Sequence, residues 1–175
     1  GDIMTDDVVD MCSEIQTHNL TFVLNPDGAW TTFNEKYKEI TEKGDWCEVK
    51  FLNDDESALN DDIKKIPIDC GGIYIFILKG DIIPQSHVYI MYIGRAQNTQ
   101  NQNLRKRVSH YINDNRPKII KMIKTWGKYL YVKYLPLEDN DIIRGLESEL
   151  IRLIIPPCND TYSPKIVNKA MRAAF

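Results

Sequence analysis

The chain has 175 residues, of which 43% are hydrophobic and 27% are charged, with a formal net charge of −3. These fractions are typical of a globular domain of ordinary size and exclude a collagen-like or disordered chain. Its longest apolar runs are too short to cross a bilayer, and its acidic start lacks the features of a secretory signal. The four cysteines are scattered without metal-ligand spacing. We therefore expect a cytoplasmic or host-cell protein that is neither secreted nor in a membrane.

The two parts of the chain carry opposite charge. Residues 1–70 carry 6 basic and 17 acidic side chains, a net charge of −11, whereas residues 71–175 carry 16 and 8, a net charge of +8. A basic region of this size is typical of a protein that binds a polyanion such as nucleic acid, although it can also be an ordinary solvated surface. The change of sign near Pro67–Gly72 predicts an acidic N-terminal extension over residues 1–68, followed by a separate domain over residues 69–175.

The acidic region contains alternating helix and strand patterns. A helix is predicted over Asp6–Thr17, a turn at Asn25–Gly28, a helix over Phe33–Glu42, a strand over Trp46–Leu52 and a helix over Ser57–Ile66. Its aromatic residues supply surface that can be buried, so we expect this extension to be ordered. Its role is open between a packing layer, which we favour, a dimerisation element and an acidic cover over a basic site.

The basic region has the predicted order β-β-α-α-β-α. Strands are predicted over Gly72–Lys79, Val88–Gly94 and Lys128–Leu135, and helices over Leu104–Asn113, Pro117–Trp126 and Asp139–Ile155. The first two strands are joined by a short polar segment with a proline and should pair antiparallel. This order predicts an α+β fold with a three-stranded antiparallel sheet flanked by helices.

Four short motifs occur in order in the basic region. Gly-Ile-Tyr at 72–74 is followed by Tyr-Ile-Gly at 92–94, then by a helix with Leu104 and Arg107, and then by Glu147 with an apolar run, two prolines and Asn159. The Glu147–Asn159 spacing is 12 residues. Together these motifs resemble the GIY-YIG nuclease family. The resemblance covers residues 72–159, about half of the chain, and the segment between Tyr74 and Tyr92 is longer than is usual in that family.

The resemblance implies a small GIY-YIG-type domain that hydrolyses phosphodiester bonds with Mg²⁺ or Mn²⁺. Glu147 would be the metal ligand, since one carboxylate with waters suits Mg²⁺. Tyr74 would orient or deprotonate the attacking water, although a phenol with a pKa near ~10 needs help to act as a base. Tyr92 would bind the water or the phosphate, and Arg107 would hold the scissile phosphate through its guanidinium.

Other residues are assigned supporting roles. Tyr111, one helical turn after Arg107, and His110 are candidates for proton transfer, and Asn159 would tie the chain after the last helix to the site. Arg95 lies where relatives often carry a lysine that contacts the site. The predicted contacts to nucleic acid are Arg95, Arg105, Lys106, Lys118, Lys121 and Lys124.

These features favour a metal-dependent DNA endonuclease, and the short chain favours a stand-alone restriction or defence enzyme. Cutting both strands would require a homodimer or two visits, because each chain carries one catalytic set. A structure-specific repair or mobile-element nuclease is the alternative within this class. An alternative of another class is a non-catalytic nucleic-acid-binding module on the same fold.

Overall fold

The computed structural model describes residues 20–24 and 27–160. It has four strands, β1 (Cys47–Lys50), β2 (Gly71–Lys79), β3 (Val88–Ala96) and β4 (Leu130–Leu137). Its α-helices are α1 (Glu35–Lys43), α2 (Leu104–Ser109), α3 (Pro117–Trp126) and α4 (Asn140–Ile154). Short 3-10 helices occupy Trp30–Thr32, Asp61–Lys65, His110–Asn113 and Gly127–Tyr129. The fold is therefore α+β, as predicted, and none of the helices in the described ranges is long and apolar enough to span a bilayer.

The prediction of a three-stranded sheet was wrong, because a fourth strand comes from the acidic region. The sheet is antiparallel, with the order β1-β4-β2-β3. β1 pairs with β4 from Cys47 opposite Tyr134 to Lys50 opposite Tyr131. The strand itself was predicted, but its partner lies more than eighty positions away, and a strand pattern does not specify a distant partner. The acidic region thus contributes to the sheet that also carries the Gly-Ile-Tyr motif.

Two further predictions in the acidic region have different outcomes. The predicted helix over Ser57–Ile66 is reduced to the 3-10 helix Asp61–Lys65, which begins where the Asn60 side chain accepts a hydrogen bond from the Asp62 N–H at 3.0 Å. The predicted helix over Asp6–Thr17 lies outside the described residues, as do the first two residues of the predicted turn at Asn25–Gly28.

The last helix, α4, confirms its prediction within one residue at each end. Asp139 caps its start by accepting hydrogen bonds from the N–H groups of Asp141 and Ile142 at 2.8 and 3.1 Å. Its last turn is closed by Ile155, which has a left-handed φ of 51° and is followed by two prolines that cannot continue the helix. This ending turns the chain back towards β3.

Helices cover both faces of the sheet. On the first, which we call the tyrosine face, a buried cluster contains β-strand residues Tyr74, Phe76, Tyr92, Val132 and Tyr134, together with residues of α2, α3 and the 3-10 helices. On the second, the aliphatic face, the buried residues are Ile73, Ile75, Ile77, Ile93 and Leu135, packed against α4. Side chains alternate between the two faces along each strand, so neighbouring residues of one motif belong to different clusters.

The β2–β3 hairpin places the two motif tyrosines on the same face. Tyr74 lies opposite Gly94, and Tyr92 lies opposite Phe76, with a bulge in the register between Phe76 and Ile77. The predicted antiparallel pairing is thus confirmed. A Cβ atom at Gly94 would collide with the ring and hydroxyl of Tyr74, so the tyrosine requires a glycine across the strands.

Candidate active site

Three buried tyrosines form a connected set of hydroxyl groups on the tyrosine face. The Tyr74 and Tyr111 hydroxyls are 2.7 Å apart, and the Tyr111 hydroxyl donates to the Tyr92 hydroxyl at 3.1 Å. The 3-10 helix after α2 places Tyr111 over β2 and β3, with its ring centroid 5.5 Å from that of each motif tyrosine. Each hydroxyl therefore has a polar partner although the rings are buried.

This environment keeps the phenols protonated. Burial raises the pKa of Tyr74 well above its usual value, neighbouring Tyr111 and Tyr92 raise it further, and the Arg107 charge opposes them. Burial and Tyr111 likewise raise the pKa of Tyr92, opposed by Arg116. Both hydroxyls are therefore neutral hydrogen-bonding groups in the free protein at neutral pH.

Two arginines lie against these rings. The Arg107 guanidinium carbon is 5.5 Å from the centre of the Tyr111 ring. The Arg116 guanidinium carbon is 5.4 Å from the same ring and 5.5 Å from that of Tyr92. At these distances a guanidinium is attracted to the face of an aromatic ring. Positive charge thus lies beside the three hydroxyl groups.

Arg116 was missed by the sequence analysis. Its Nε and Nη2 atoms donate to the Asp114 carboxylate at 3.0 and 2.8 Å, and its Nη1 donates to the Tyr92 hydroxyl at 3.4 Å. One sequence feature could have indicated Arg116: it lies two residues after Asp114 and directly before Pro117, the first residue of a predicted helix.

Glu147 lies on α4 and pairs with Arg95 at the end of β3. The Arg95 Nη1 atom is 2.5 Å from Oε1 of Glu147, and 15% of the Glu147 side chain is exposed, against 40% for Arg95. Burial raises the pKa of the Glu147 carboxyl above its usual range, while Arg95 and Arg107 act in the opposite direction. The carboxylate therefore lies at the boundary between the aliphatic core and solvent, facing two cationic groups.

A groove at the β3 edge of the sheet joins the tyrosines to Glu147. It consists of two adjoining pockets of about 340 and 330 Å³ that share Tyr92, Arg95 and Glu147. The first pocket is also lined by Arg116 and Asn159, and the second by Tyr74 and Arg107. Because β3 is an edge strand, side chains from both faces of the sheet reach the same groove.

Asn159 hydrogen bonds to the backbone of β3 at the groove. Its side-chain Oδ1 accepts a hydrogen bond from the Ile93 N–H at 3.0 Å, and its Nδ2 donates to the Ile93 carbonyl at 2.8 Å. The residue is only 5% exposed. Asn159 thus ties the chain after α4 to β3, between Tyr92 and Arg95.

The donor set of the groove fits a hydrated Mg²⁺. No cluster of three or more His, Cys, Asp or Glu side chains occurs within residues 20–24 and 27–160. Mg²⁺ does not require one, because it retains several waters and binds through one or two carboxylates and substrate phosphates. Of the two carboxylates that line the groove, Glu147 and Asp160, Glu147 borders both pockets and suits this role, provided that Arg95 shares or releases Oε1.

The other predicted contacts to nucleic acid lie in different environments. Lys121 and Lys124 are exposed on α3, and His110 is exposed and does not line either pocket. Lys118 donates to the Asn159 carbonyl at 3.3 Å, and Lys106 donates to the Asn101 carbonyl at 2.6 Å. Lys106, Lys121 and Lys124 are exposed, Lys118 is half-buried, and none of the four lines either pocket.

Arg105 has a structural contact of its own. Its Nε donates to the Ile66 carbonyl at 2.7 Å, and its Nη2 donates to the Lys64 carbonyl. The side chain thus ties α2 to the acidic region, on the side of the chain that precedes β2.

The groove is therefore lined by Tyr74, Tyr92, Arg107, Glu147 and Asn159, from β2, β3, α2, α4 and the loop after α4, and Tyr111 of the 3-10 helix His110–Asn113 hydrogen bonds to Tyr92. Arg95 and Arg116 lie beside them, and His110 lies outside. No protein-family model matches the chain, and no curated protein or solved structure matches it either.

Proposed function

We propose that this protein is a metal-dependent endonuclease of the GIY-YIG type that hydrolyses phosphodiester bonds in DNA. One observation carries the proposal: the hydrogen-bonded tyrosines, Arg107 and Glu147 meet at a single groove, although Glu147 comes from the opposite face of the sheet. If these residues only packed the hydrophobic core, nothing would require a carboxylate, a guanidinium and phenols to lie together at a solvent-accessible edge of the sheet.

Each residue has a role that follows from its environment. Glu147 would hold a Mg²⁺ or Mn²⁺ ion, which supplies charge stabilisation at the phosphate and the leaving oxygen when bound. Arg107 binds the phosphate, because a guanidinium matches two of its oxygens. Arg95 pairs with Glu147 when the groove is free.

Tyr74 orients the attacking water through a hydrogen bond. Its raised pKa makes it a weak source of phenolate at neutral pH, so orientation is the role that its environment supports. Tyr92 lines both pockets and contacts the phosphate or the water. Lys121 and Lys124 add sequence-independent attraction to the DNA backbone.

The test is a cleavage assay with the full chain on supercoiled plasmid, with Mg²⁺, with Mn²⁺ and with a chelator. We expect nicking or cutting only with the metal, and loss of cleavage in Glu147→Gln. Glu149→Gln is the matched control, because Glu149 is on the same helix but pairs with Arg152 at 2.9 Å. Cleavage by Glu147→Gln at the wild-type rate would refute the assignment.

Two further arms separate the alternatives. Cleavage of unbranched plasmid at fixed sites would support a restriction or defence enzyme, whereas cleavage of forks and flaps alone would support a repair or mobile-element nuclease. DNA binding without metal-dependent hydrolysis would instead support a non-catalytic binding module.

A further inference from the structure

The hydrogen bonds between the three tyrosines have one direction. Tyr111 donates its proton to the Tyr92 oxygen. A phenol has only one proton to donate, so in the bond of 2.7 Å between Tyr74 and Tyr111 the donor must be Tyr74. The hydrogen bonds between the hydroxyls therefore run from Tyr74 as first donor, through Tyr111, to Tyr92 as last acceptor.

Arg116 contacts Tyr92, the last acceptor in this series of hydrogen bonds. Its Nη1 donates to the Tyr92 oxygen, which thus accepts from both Arg116 and Tyr111. Because a phenol oxygen has two acceptor sites, the proton of Tyr92 cannot point to either neighbour. Tyr92 lines both pockets of the groove, so its O–H is left to donate into the groove.

Asp114 determines where Arg116 can point. Its carboxylate accepts hydrogen bonds from Nε and Nη2, and it also accepts from the Arg116 N–H at 2.9 Å. With two of its three nitrogens held, the guanidinium presents the third to Tyr92. The side chain is one-third exposed, against 17% for Asp114, so the pair lies at the groove wall rather than in the core.

We propose that Arg116, held by Asp114, is a positioning residue that fixes the Tyr92 hydroxyl as a hydrogen-bond donor towards a phosphate oxygen of the substrate. This inference rests on the proposed function, and it adds a pair of residues that the family motifs do not include. Without Arg116, the Tyr92 hydroxyl could rotate and place its proton away from the groove. Burial and Tyr111 raise the pKa of Tyr92, and Arg116 opposes that rise.

Arg116→Lys separates positioning from simple charge. Lysine keeps the positive charge but lacks the planar fork that can bind Asp114 and Tyr92 together. We expect kcat to fall by about 100-fold, as for a reacting group that is slightly misplaced. KM and the salt dependence of DNA binding should stay unchanged, because the charge near the backbone is retained.

Asp114→Asn is the second variant, since it leaves Arg116 in place but weakens the contact that aims it. We expect a smaller fall in kcat with the same unchanged KM. Arg144→Lys and Asp141→Asn are the matched controls, because that surface pair on α4 lines neither pocket. Thermal unfolding of every variant shows whether it is folded.

The result that would overturn the proposal is a wild-type kcat in Arg116→Lys. A raised KM with an unchanged kcat would also overturn it, since Arg116 would then be a plain phosphate contact. An inactive wild-type protein would refute the proposed function instead. The direction of the hydrogen bonds between the three tyrosines therefore needs a measurement that does not use substrate.

That measurement is the exchange of tyrosine hydroxyl protons with water, followed by NMR on the full chain. The protons of Tyr74 and Tyr111 should exchange slowly, because each is held in a buried hydrogen bond, and that of Tyr92 should exchange fast. Slow exchange at Tyr92 with fast exchange at Tyr74 would overturn the inferred direction, whether or not the protein cuts DNA.

Discussion

The two faces of the sheet differ in the chemistry of the side chains that they bury. On the aliphatic face, Ile73, Ile75 and Ile93 pack against α4 with no polar atom to satisfy. On the tyrosine face, Tyr74, Tyr92 and Tyr111 bury three hydroxyls that hydrogen bond to one another. The hydroxyl groups on the tyrosine face are therefore not needed to fill space, because phenylalanine would fill almost the same volume.

The same contrast separates stability from chemistry. Removing methyl groups from the aliphatic face should lower stability, because packing there contributes through buried area and the absence of cavities. Removing a hydroxyl from the tyrosine face should cost little stability, because a buried hydrogen bond contributes about 1 kcal/mol net. Variants on the two faces therefore test whether stability depends on the aliphatic face and activity on the tyrosine face.

The largest effect on stability is expected from Ile73→Ala. Ile73 is fully buried on the aliphatic face, next to Tyr74 in the chain. Its truncation should lower the free energy of unfolding by about 2–5 kcal/mol, measured by urea denaturation. The cleavage rate per folded molecule should stay at the wild-type value, and Ile73→Val should show a smaller loss of about 1 kcal/mol. A specific loss of activity in fully folded Ile73→Val would show that the faces are not separable.

The next largest effect is expected from Tyr74→Phe, this time on catalysis. We expect a fall in the cleavage rate of about 100-fold, because the oriented hydroxyl is lost, with a stability change near ~1 kcal/mol. Tyr134→Phe is the matched control, since Tyr134 lies opposite Tyr74 on the same face, lines neither pocket of the groove, and has a hydroxyl that contacts the Lys65 carbonyl at 3.5 Å and the Cys47 side chain. Equal rate losses in the two variants would contradict a specific role for Tyr74.

A smaller effect is expected from Asn159→Ala, which removes both hydrogen bonds to the Ile93 backbone. The free energy of unfolding should fall by about 2 kcal/mol, since two buried backbone groups lose their partners. The Ile93 amide should exchange with solvent much faster than in the wild type, as measured by hydrogen exchange. An unchanged exchange rate at Ile93 would mean that Asn159 does not hold the strand.

The smallest effect is expected from Glu147→Gln on stability. Burial raises the pKa of Glu147 above its ordinary value of 4.5, so the folded protein binds this proton more tightly than the unfolded chain does. Stability therefore falls as pH rises above 4.5 and levels off above the folded-state pKa. Glutamine does not ionise, so the variant should melt at a higher temperature than wild type at neutral pH.

This gain should disappear below pH 4.5, where Glu147 is protonated in both states. Thermal melts at neutral and acidic pH measure the difference. A variant that is less stable than wild type at neutral pH would mean that the Arg95 ion pair outweighs burial.

The sequence predicted the elements that build the groove because their signals are local. The alternation of β2 and β3 and the apolar stripe of α4 follow from periodicity, whereas the residues at the groove were implied by the resemblance to the GIY-YIG nuclease family. The pairing of β1 with β4 was not predicted, because it depends on contacts between residues far apart in the chain.

Arg116 was missed for a related reason. Its role depends on where Asp114 aims it and on the position of Tyr92, which is distant in sequence. Arg105 illustrates the reverse, since its charge indicated a contact with DNA but its guanidinium binds the Ile66 carbonyl. A cationic residue type does not specify which way the side chain turns.

The return of the chain after α4 also bears on self-association. β3 is an outer strand, and unpaired backbone groups on an outer strand can recruit a strand from another molecule. Here the Cys158 N–H donates to the Met91 carbonyl at 2.9 Å, and the Asn159 side chain occupies both groups of Ile93. The loop thereby takes the place of a neighbouring strand, so that intermolecular sheet extension is blocked at the part of β3 that borders the groove.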